Sequence, residues 1–365
     1  MRIIYIIYDV RIEKMNYNKI TGEALGAYSI TSKLIEPIAR SGGSDGAVYK
    51  VADSNDIYCL KIYVSDNDKI AEKSMVNSEF EWVAALARDT DITVPTAYKN
   101  TDGEYVTVVD GVSCVLMKWL EGRPSGFEYE NGFIKAFLMD GDMDEFDDKI
   151  DAINFIKVLG KLHKHASEWQ SPAGFKRPSV EDGTAEWMGN ICANLDALDG
   201  GLYDEEAIEA IKSGGRKAVE KVKTIEKNNM TWGLIHDDFQ IGNYIVNNHE
   251  ICPVDFTKSK FNYYLSDVAL GLHFVAPEKR EFFCDIYSRY FPLPENYVNK
   301  IETLLVVRQL QMINFYLNEY QATKEDKDRW LPKDIKIWGN GEFKHYLNNE
   351  PFLLDKKAFY QQQFS

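Results

Sequence analysis

At 365 residues the chain exceeds the roughly 250–300 residues at which one hydrophobic core stops growing, so two lobes are expected. A content of 45% hydrophobic and 27% charged residues is that of a folded chain and excludes extended disorder. The net charge of −15 repels phosphate backbones, which argues against nucleic acid or an anionic membrane as partner and favours a cationic ligand.

In chain order, short β-rich runs at 47–51, 57–63, 105–109 and 114–119 come first. Asp53-Ser54-Asn55-Asp56 and Thr101-Asp102-Gly103 are the turn signals between pairs of them. One helix interrupts these strands at about 70–88, with Phe80, Val83 and Leu86 spaced for one buried face. The pattern changes near residue 120. Beyond it helical periodicity dominates: Ile153, Ile156, Leu159, Leu162 and Ala166 form one stripe in 151–168, and 301–320 reads as a second long amphipathic helix. The acidic run 140–148 reads as a solvated linker, and a single β-rich island, 232–256, lies within the helical half.

The five cysteines, Cys59, Cys114, Cys192, Cys252 and Cys284, are scattered with no CxxC pair, the pattern of a reduced intracellular chain without structural zinc. The apolar run 2–8 is too short for a signal segment, and no uninterrupted apolar run approaches about 18 residues. A cytoplasmic location with no membrane span is the expectation.

The most informative stretch is His236-Asp237-Asp238-Phe239-Gln240-Ile241-Gly242-Asn243, followed by Val254-Asp255-Phe256. An apolar strand delivers His236 and Asp238 into a loop, Asn243 follows five residues later, and a hairpin returns Asp255. Phosphoryl transfer needs such a set: a carboxylate to orient and accept the proton of the attacking hydroxyl, and oxygen ligands for magnesium on the phosphates. The plain structural reading is a polar hairpin whose Asp and Asn only make turns. Two further elements in the right chain order weigh against it. Gly42, Gly43 and Ser44 sit in a glycine-rich turn between two strands, where backbone N–H groups can approach phosphates. Lys61 lies in an apolar strand, ahead of a helix carrying Glu79; paired with that carboxylate it can hold the α- and β-phosphates. Glu79 shares the face of Val83 and Leu86 and so points inward, with Glu81 the second choice.

The order glycine-rich hairpin, Lys61, Glu79, His236-x-Asp238-x4-Asn243 and Asp255 resembles the aminoglycoside phosphotransferase and choline kinase-like superfamily. Ser78-Glu79-Phe80-Glu81-Trp82 through Pro95, and then Leu116 to Arg123, look like its N-lobe and hinge. Leu159-Gly160-Lys161-Leu162-His163 and Ser266-Asp267-Val268-Ala269 are similar to two of its C-lobe segments, and the likeness runs from about residue 28 to 320. The resemblance implies an α+β, protein-kinase-like two-lobed fold: a β-rich N-lobe with one helix over 1–117, a hinge at 118–122 and a mainly helical C-lobe over 123–365. It implies ATP and Mg2+ as cofactors, Asp238 as catalytic base, and Asn243 and Asp255 as metal ligands. Backbone groups of Lys118, Trp119 and Leu120 would read adenine, with Met117 and Trp119 against its face, and Asp267 would brace the catalytic loop from behind. His163 and His236 are expected to prop the structure rather than move protons. The chain departs from the family pattern at Asp237, usually Gly, at Gln240, usually His, and at Thr257-Lys258, where acidic residues often stand.

The expected activity is transfer of the γ-phosphoryl group of ATP to a hydroxyl of an amino-bearing small molecule, an antibiotic of the aminoglycoside kind first. The alternatives are a metabolite kinase acting on a choline-, homoserine- or sugar-like acceptor, and a non-catalytic nucleotide-binding module, which would be expected to lack one of Lys61, Asp238, Asn243 or Asp255. A protein kinase is disfavoured, because Asp237 stands where an Arg would meet an activation-loop phosphate and only eleven residues separate Asp255 from Asp267. A metal hydrolase is disfavoured because the six histidines are not arranged as ligand pairs, apart from His163 and His165, which face different sides of a helix. The cationic preference rests on C-lobe carboxylates: Glu121, Glu128, Glu130, the 140–148 run, Glu181, Asp182, Asp204, Glu205 and Glu206. The alternative is that these are solubility charges.

Overall fold

Alternation along 57–63 sets the first layer of the fold: Tyr58, Leu60 and Ile62 point to one side of a sheet, and Cys59, Lys61 and Tyr63 to the other. The computed structural model describes residues 17–38, 47–63, 72–125, 129–130, 133–134, 149–181, 184–197, 204–240, 242–273, 275, 279–323 and 331–353. The strands are β1 (Leu34–Pro37), β2 (Ala47–Ala52), β3 (Ile57–Tyr63), β4 (Thr107–Val109), β5 (Val112–Lys118), β6 (Arg123–Pro124), β7 (Tyr129–Glu130), β8 (Phe133–Ile134), β9 (Trp232–Ile235), β10 (Tyr244–Asn247), β11 (Glu250–Pro253) and β12 (Lys260–Tyr263). The helices are α1 (Tyr17–Ala27), α2 (Lys73–Asp89), α3 (Lys149–Glu168), α4 (Thr184–Asp196), α5 (Glu205–Val222), α6 (Tyr264–His273), α7 (Arg280–Ser288), α8 (Tyr297–Thr323), α9 (Leu331–Trp338) and α10 (Lys344–Asn348). Two units emerge: Met1–Ser125 with Gln170–Arg177 and Gly242–Lys258, and Gly126–Trp169 with Pro178–Ile241 and Ser259–Ser365.

The first unit is built on an antiparallel sheet of order β1-β2-β3-β5-β4. On one face Val51, Tyr58, Leu60, Ile62 and Leu116 bury against Ile20, Ala24 and Leu25 of α1. Each fully buried aliphatic side chain there contributes roughly 1.5–3 kcal/mol, and this packing rather than propensity forms α1. Its own sequence carries Gly22 and Gly26, each costing about 1 kcal/mol against Ala. Among its described residues the unit therefore has two helices where the sequence predicts one. The turn between β2 and β3 is closed as its composition predicts, with Asp53 Oδ1 accepting from the N–H groups of Asn55 (2.7 Å) and Asp56 (2.8 Å).

A smaller sheet of order β11-β10-β6 belongs to the same unit. Its hairpin turns through Asn248 and His249, both with positive φ, the two-residue connection whose twist matches the strands. Gly122 (φ +133°) lets the chain lie against β10, since a Cβ there would stand 2.5 Å from the Val246 carbonyl oxygen. Trp82 of α2 is fully buried and meets Phe256 edge to face at 5.4 Å, fixing the chain that follows β11.

The second unit is helical, with ribbons β9–β12 and β7–β8. In α3 the predicted stripe is buried at Ile156, Leu159, Leu162 and Ala166, while Ile153 is half-buried and Phe155 takes its place. The helix predicted at 301–320 is α8, which buries Ile301, Leu304, Leu305, Leu310, Ile313 and Leu317. Past residue 330, outside the family likeness, Ile335, Phe343, Phe352 and Leu353 are buried. Glu302 Oε1 accepts from the N–H groups of Phe352 (2.9 Å) and Leu353 (3.0 Å), and Arg280 donates to the Leu353 carbonyl (3.0 Å). The acidic run 140–148 lies outside the described residues. Among the described residues no helix is long and apolar enough to cross a membrane.

A π-helical turn, Gly339–Phe343, buries Glu342. Burial pushes its carboxyl up from 4.5 to about 7, although the Arg280 charge opposes the rise. A raised acid stabilises the fold fully below its unfolded value, and that contribution is lost as pH climbs through about 7. Glu342→Gln should therefore melt above the parent protein at pH 8, by at most about 3 kcal/mol of stability, with the difference shrinking towards pH 5. Thermal melts at the two pH values check this, and a difference independent of pH would refute it.

Candidate active site

In the first unit β3 presents Lys61, buried, on the face away from α1. Its Nζ lies 2.7 Å from Asp255 Oδ1 and 2.6 Å from Thr257 Oγ1, and it stands over the Tyr63 ring at 4.7 Å. Asp255 has φ +60°, a left-handed conformation that Asp tolerates better than most residues and that costs on the order of 1–2 kcal/mol. Glu79 of α2 faces inward as its spacing predicts. It accepts from Tyr63 Oη at 3.0 Å and lies 4.0 Å from Arg177. Burial raises the Glu79 carboxyl, and the charges of Lys61 and Arg177 offset part of the rise. Lys61 thus acts on Glu79 electrostatically, while its close carboxylate is Asp255. Glu81 is bonded to Asn77 (2.9 Å) on the helix flank.

Arg177 ties this cluster together. Its guanidinium donates to the carbonyls of Met75 (3.1 Å), Phe256 (3.2 Å) and Thr257, and the Lys176 N–H donates to Ser78 Oγ (2.8 Å). Asn243 opens the β10–β11 hairpin and its carbonyl accepts from the Val254 N–H at 3.0 Å, one residue before Asp255. Gly242, in front of it, donates its N–H to Ser125 Oγ at 3.0 Å. Met117 and Leu120 are buried, Lys118 commits its N–H to the Thr96 carbonyl (2.9 Å), and the Trp119 ring carries the Lys50 ammonium at 5.0 Å. Gly42, Gly43 and Ser44 lie outside the described residues.

In the second unit the β9–β12 ribbon ends at Ile235 and delivers the loop His236-Asp237-Asp238. Asp267 at the start of α6 sits behind it and accepts from the N–H groups of His236 (3.1 Å) and Asp237 (2.9 Å). His163 is fully buried, with Nδ1 2.7 Å from Tyr287 Oη and Nε2 3.4 Å from Asp267, the hydrogen-bonded core histidine that its position on the apolar stripe predicts. His236 is likewise buried, its ring tilted on Phe239, which stacks on Phe155 at 4.3 Å.

Asp237, also in the left-handed region at φ +63°, is buried between two cations, with Lys260 at 2.7 Å and Arg308 at 3.1 Å. Burial alone would raise its carboxyl, but the Arg308 and Lys260 charges outweigh it and hold the group below the ordinary range. Asp238 accepts from Gln240 Nε2 at 2.8 Å, and Arg308 Nη2 lies 3.5 Å from the same oxygen.

The sequence profile of the phosphotransferase enzyme family matches residues 36–297. The chain belongs to this family. No curated protein is similar in sequence. In fold this phosphotransferase is similar to a microcompartment-associated aminopropanol kinase (20% identity, 92% of this chain and 99% of that one, TM-score 0.68). It is also similar to an amicoumacin kinase solved with AMP-PNP and Ca2+ (15%, 98% and 99%, TM-score 0.67) and to a spectinomycin phosphotransferase solved with ADP and spectinomycin (14%, 92% and 94%, TM-score 0.55). The protein-kinase-like α+β fold class stands.

Three residues that the sequence did not single out contact the candidate site residues: Arg177 in the first unit, and Lys260 and Arg308 in the second. Thr257 was visible as a departure from the family pattern, and its hydroxyl bonds Lys61. The carboxylates behind the expected cationic preference have local partners in several cases. Asp204 caps α5 by accepting from the Ala207 N–H at 3.0 Å, Glu206 pairs with Lys344, and Glu181 pairs with Lys227. Residues 128, 140–148 and 182 lie outside the described residues.

Proposed function

We propose that the chain is an ATP-dependent small-molecule kinase that phosphorylates a hydroxyl of an amino-bearing acceptor. The observation that carries the reading is the Lys61–Asp255 contact at 2.7 Å, which brings together a strand lysine and an aspartate 194 residues away in the manner a phosphate-and-metal site requires. Lys61, kept straight by Thr257 and Tyr63, holds donor phosphates. Arg177 anchors the carbonyls at 256–257 and so sets the direction of Asp255. Asp238 orients the acceptor hydroxyl and takes its proton, and Asp267 fixes the loop by two backbone hydrogen bonds. In this reading residues 1–117 cover the nucleotide, 118–122 are the hinge, and 123–365 carry the loop and the acceptor pocket.

Magnesium fits the donor set. Asp255 already accommodates one cation, the Lys61 ammonium, and Asn243 adds a second oxygen donor, with no larger cluster of His, Cys, Asp or Glu among the described residues. Two protein oxygens suit a small hard ion that keeps waters and phosphate oxygens as its other ligands. When bound, Mg2+ neutralises charge on the donor phosphates. The chain's own groups then act by position and charge rather than by covalent chemistry.

Two features support an amino-bearing acceptor: the net charge of −15, and the fold likeness to proteins whose names are those of aminopropanol, amicoumacin and spectinomycin kinases. An antibiotic and a small amino alcohol of metabolism are the two leading classes. A coupled ADP-release screen across cationic, neutral and anionic alcohols separates them. Turnover is expected on amino-bearing alcohols. Turnover confined to neutral or anionic acceptors would overturn the acceptor class and leave the kinase standing, and MgATP binding without ADP release on any acceptor would make the chain a nucleotide-binding module.

A further inference from the structure

Asp238 stands in an arrangement of charge that the phosphoryl-transfer chemistry does not by itself require. Arg308, in the middle of α8, spans two consecutive carboxylates, with Nη1 3.1 Å from Asp237 Oδ2 and Nη2 3.5 Å from Asp238 Oδ1. Lys260 of β12 closes on the same Asp237 oxygen at 2.7 Å, and Asn262, two residues along, reaches the other Asp237 oxygen at 3.4 Å. The side chains of Asp237 and Arg308 are 3% and 15% exposed, so water screens them little.

We infer that Arg308 is a positioning residue: anchored on Asp237, it holds the Asp238 carboxylate against Gln240 in the orientation from which it meets the acceptor hydroxyl. The inference rests on the reading of Asp238 as the base. Charge counting supports it. Asp237 and Asp238 are two anions, and Lys260 and Arg308 are two cations, so the quartet is neutral. Without Asp237, Arg308 and Lys260 would both lose an anion that they contact. Without Arg308, Asp237 would keep Lys260, and Asp238 would lose the cation that stands 3.5 Å from its Oδ1. Burial opposes the charge on Arg308, yet the carboxylates of Asp237, Asp238 and Asp267 together more than restore it, so the guanidinium is a permanent cation. The left-handed backbone of Asp237 turns its side chain back towards α8 while the next residue carries Asp238 on, which lets one guanidinium reach both. A fixed geometry of this kind matters because a displacement of about 1 Å at a reacting group can lower the rate about 10²-fold.

The test uses Arg308→Met and Arg308→Lys in the full chain, with ADP release from MgATP measured with water as the acceptor and a crystal structure of each variant. Arg308→Met is expected to lower the rate roughly 10- to 100-fold with KM for ATP within about twofold. Arg308→Lys should recover part of the loss, and the Arg308→Met crystal should show the Asp238 carboxylate turned away from Gln240. An unchanged rate with Asp238 in place overturns the inference. So does an equal fall in rate, ATP affinity and melting temperature that lysine does not relieve, the mark of an ion pair that only supports the fold. If the parent chain releases no ADP with water, the same variants are assayed with the acceptor found in the ADP-release screen; no ADP release on any acceptor removes the kinase reading first, and the position of Asp238 in the Arg308→Met crystal still decides whether Arg308 holds it.

Discussion

Asp238→Asn loses turnover on the order of 10²–10⁴-fold while MgATP binding persists. The substitution keeps the size of the side chain and an oxygen that can accept from Gln240, so the loop geometry survives. What disappears is the ability to take the acceptor proton, together with one of the two anions facing Arg308. The backbone is held independently by Asp267, whose two bonds to the His236 and Asp237 N–H groups do not involve the Asp238 side chain. Steady-state kinetics with an acceptor identified by the ADP-release screen, alongside calorimetry with MgATP, separates the two effects. Near-parental turnover in Asp238→Asn would remove Asp238 from the role of base.

Loss of the donor site is the second large effect. Asp255→Ala should abolish magnesium-dependent ATP binding, and Lys61→Ala should weaken it at least tenfold, about 1.4 kcal/mol. Because Asp255 sits at φ +60°, alanine there adds backbone strain, so Asp255→Asn is the informative companion: it keeps the turn and removes the charge. In either Asp255 variant Lys61 is left buried beside Thr257 without its close carboxylate, which predicts a fall in melting temperature as well. Binding of MgATP at parental affinity in both the Lys61 and Asp255 variants would displace the site from this cluster.

What was legible in the sequence was local. The apolar run 57–63 put Lys61 in a strand, the helical spacing of 79, 83 and 86 turned Glu79 inward, and the Asp53 turn closed as its residues predict. His236, Asp238 and Asn243 stood out as candidates because they fall within eight residues of sequence. What escaped was tertiary. Arg308 lies in a helix whose apolar stripe gives no sign that one arginine turns towards a loop 70 residues earlier, and a basic residue in such a helix reads by default as solvated. Arg177 ends a short stretch of the first unit, 170–177, that lies in sequence between two segments of the second, and it donates hydrogen bonds to backbone carbonyls, which no side-chain pattern announces. Helix α1 escaped because its two glycines weaken the local signal that its buried face then overrides. Of the acidic residues read as ligand-attracting or as solubility charge, Asp204 caps a helix, and Glu181 and Glu206 pair with Lys227 and Lys344, contacts that no side-chain pattern announces.

The central claim is that Lys61 and Asp255 form a donor site whose present contact is replaced when nucleotide arrives. The most direct measurement is a crystal structure with a non-hydrolysable ATP analogue and Mg2+. The expected result is that Lys61 Nζ leaves Asp255 for oxygens of the phosphates while Asp255 and Asn243 take the metal. Density for the nucleotide elsewhere, with Lys61 still 2.7 Å from Asp255, would contradict it.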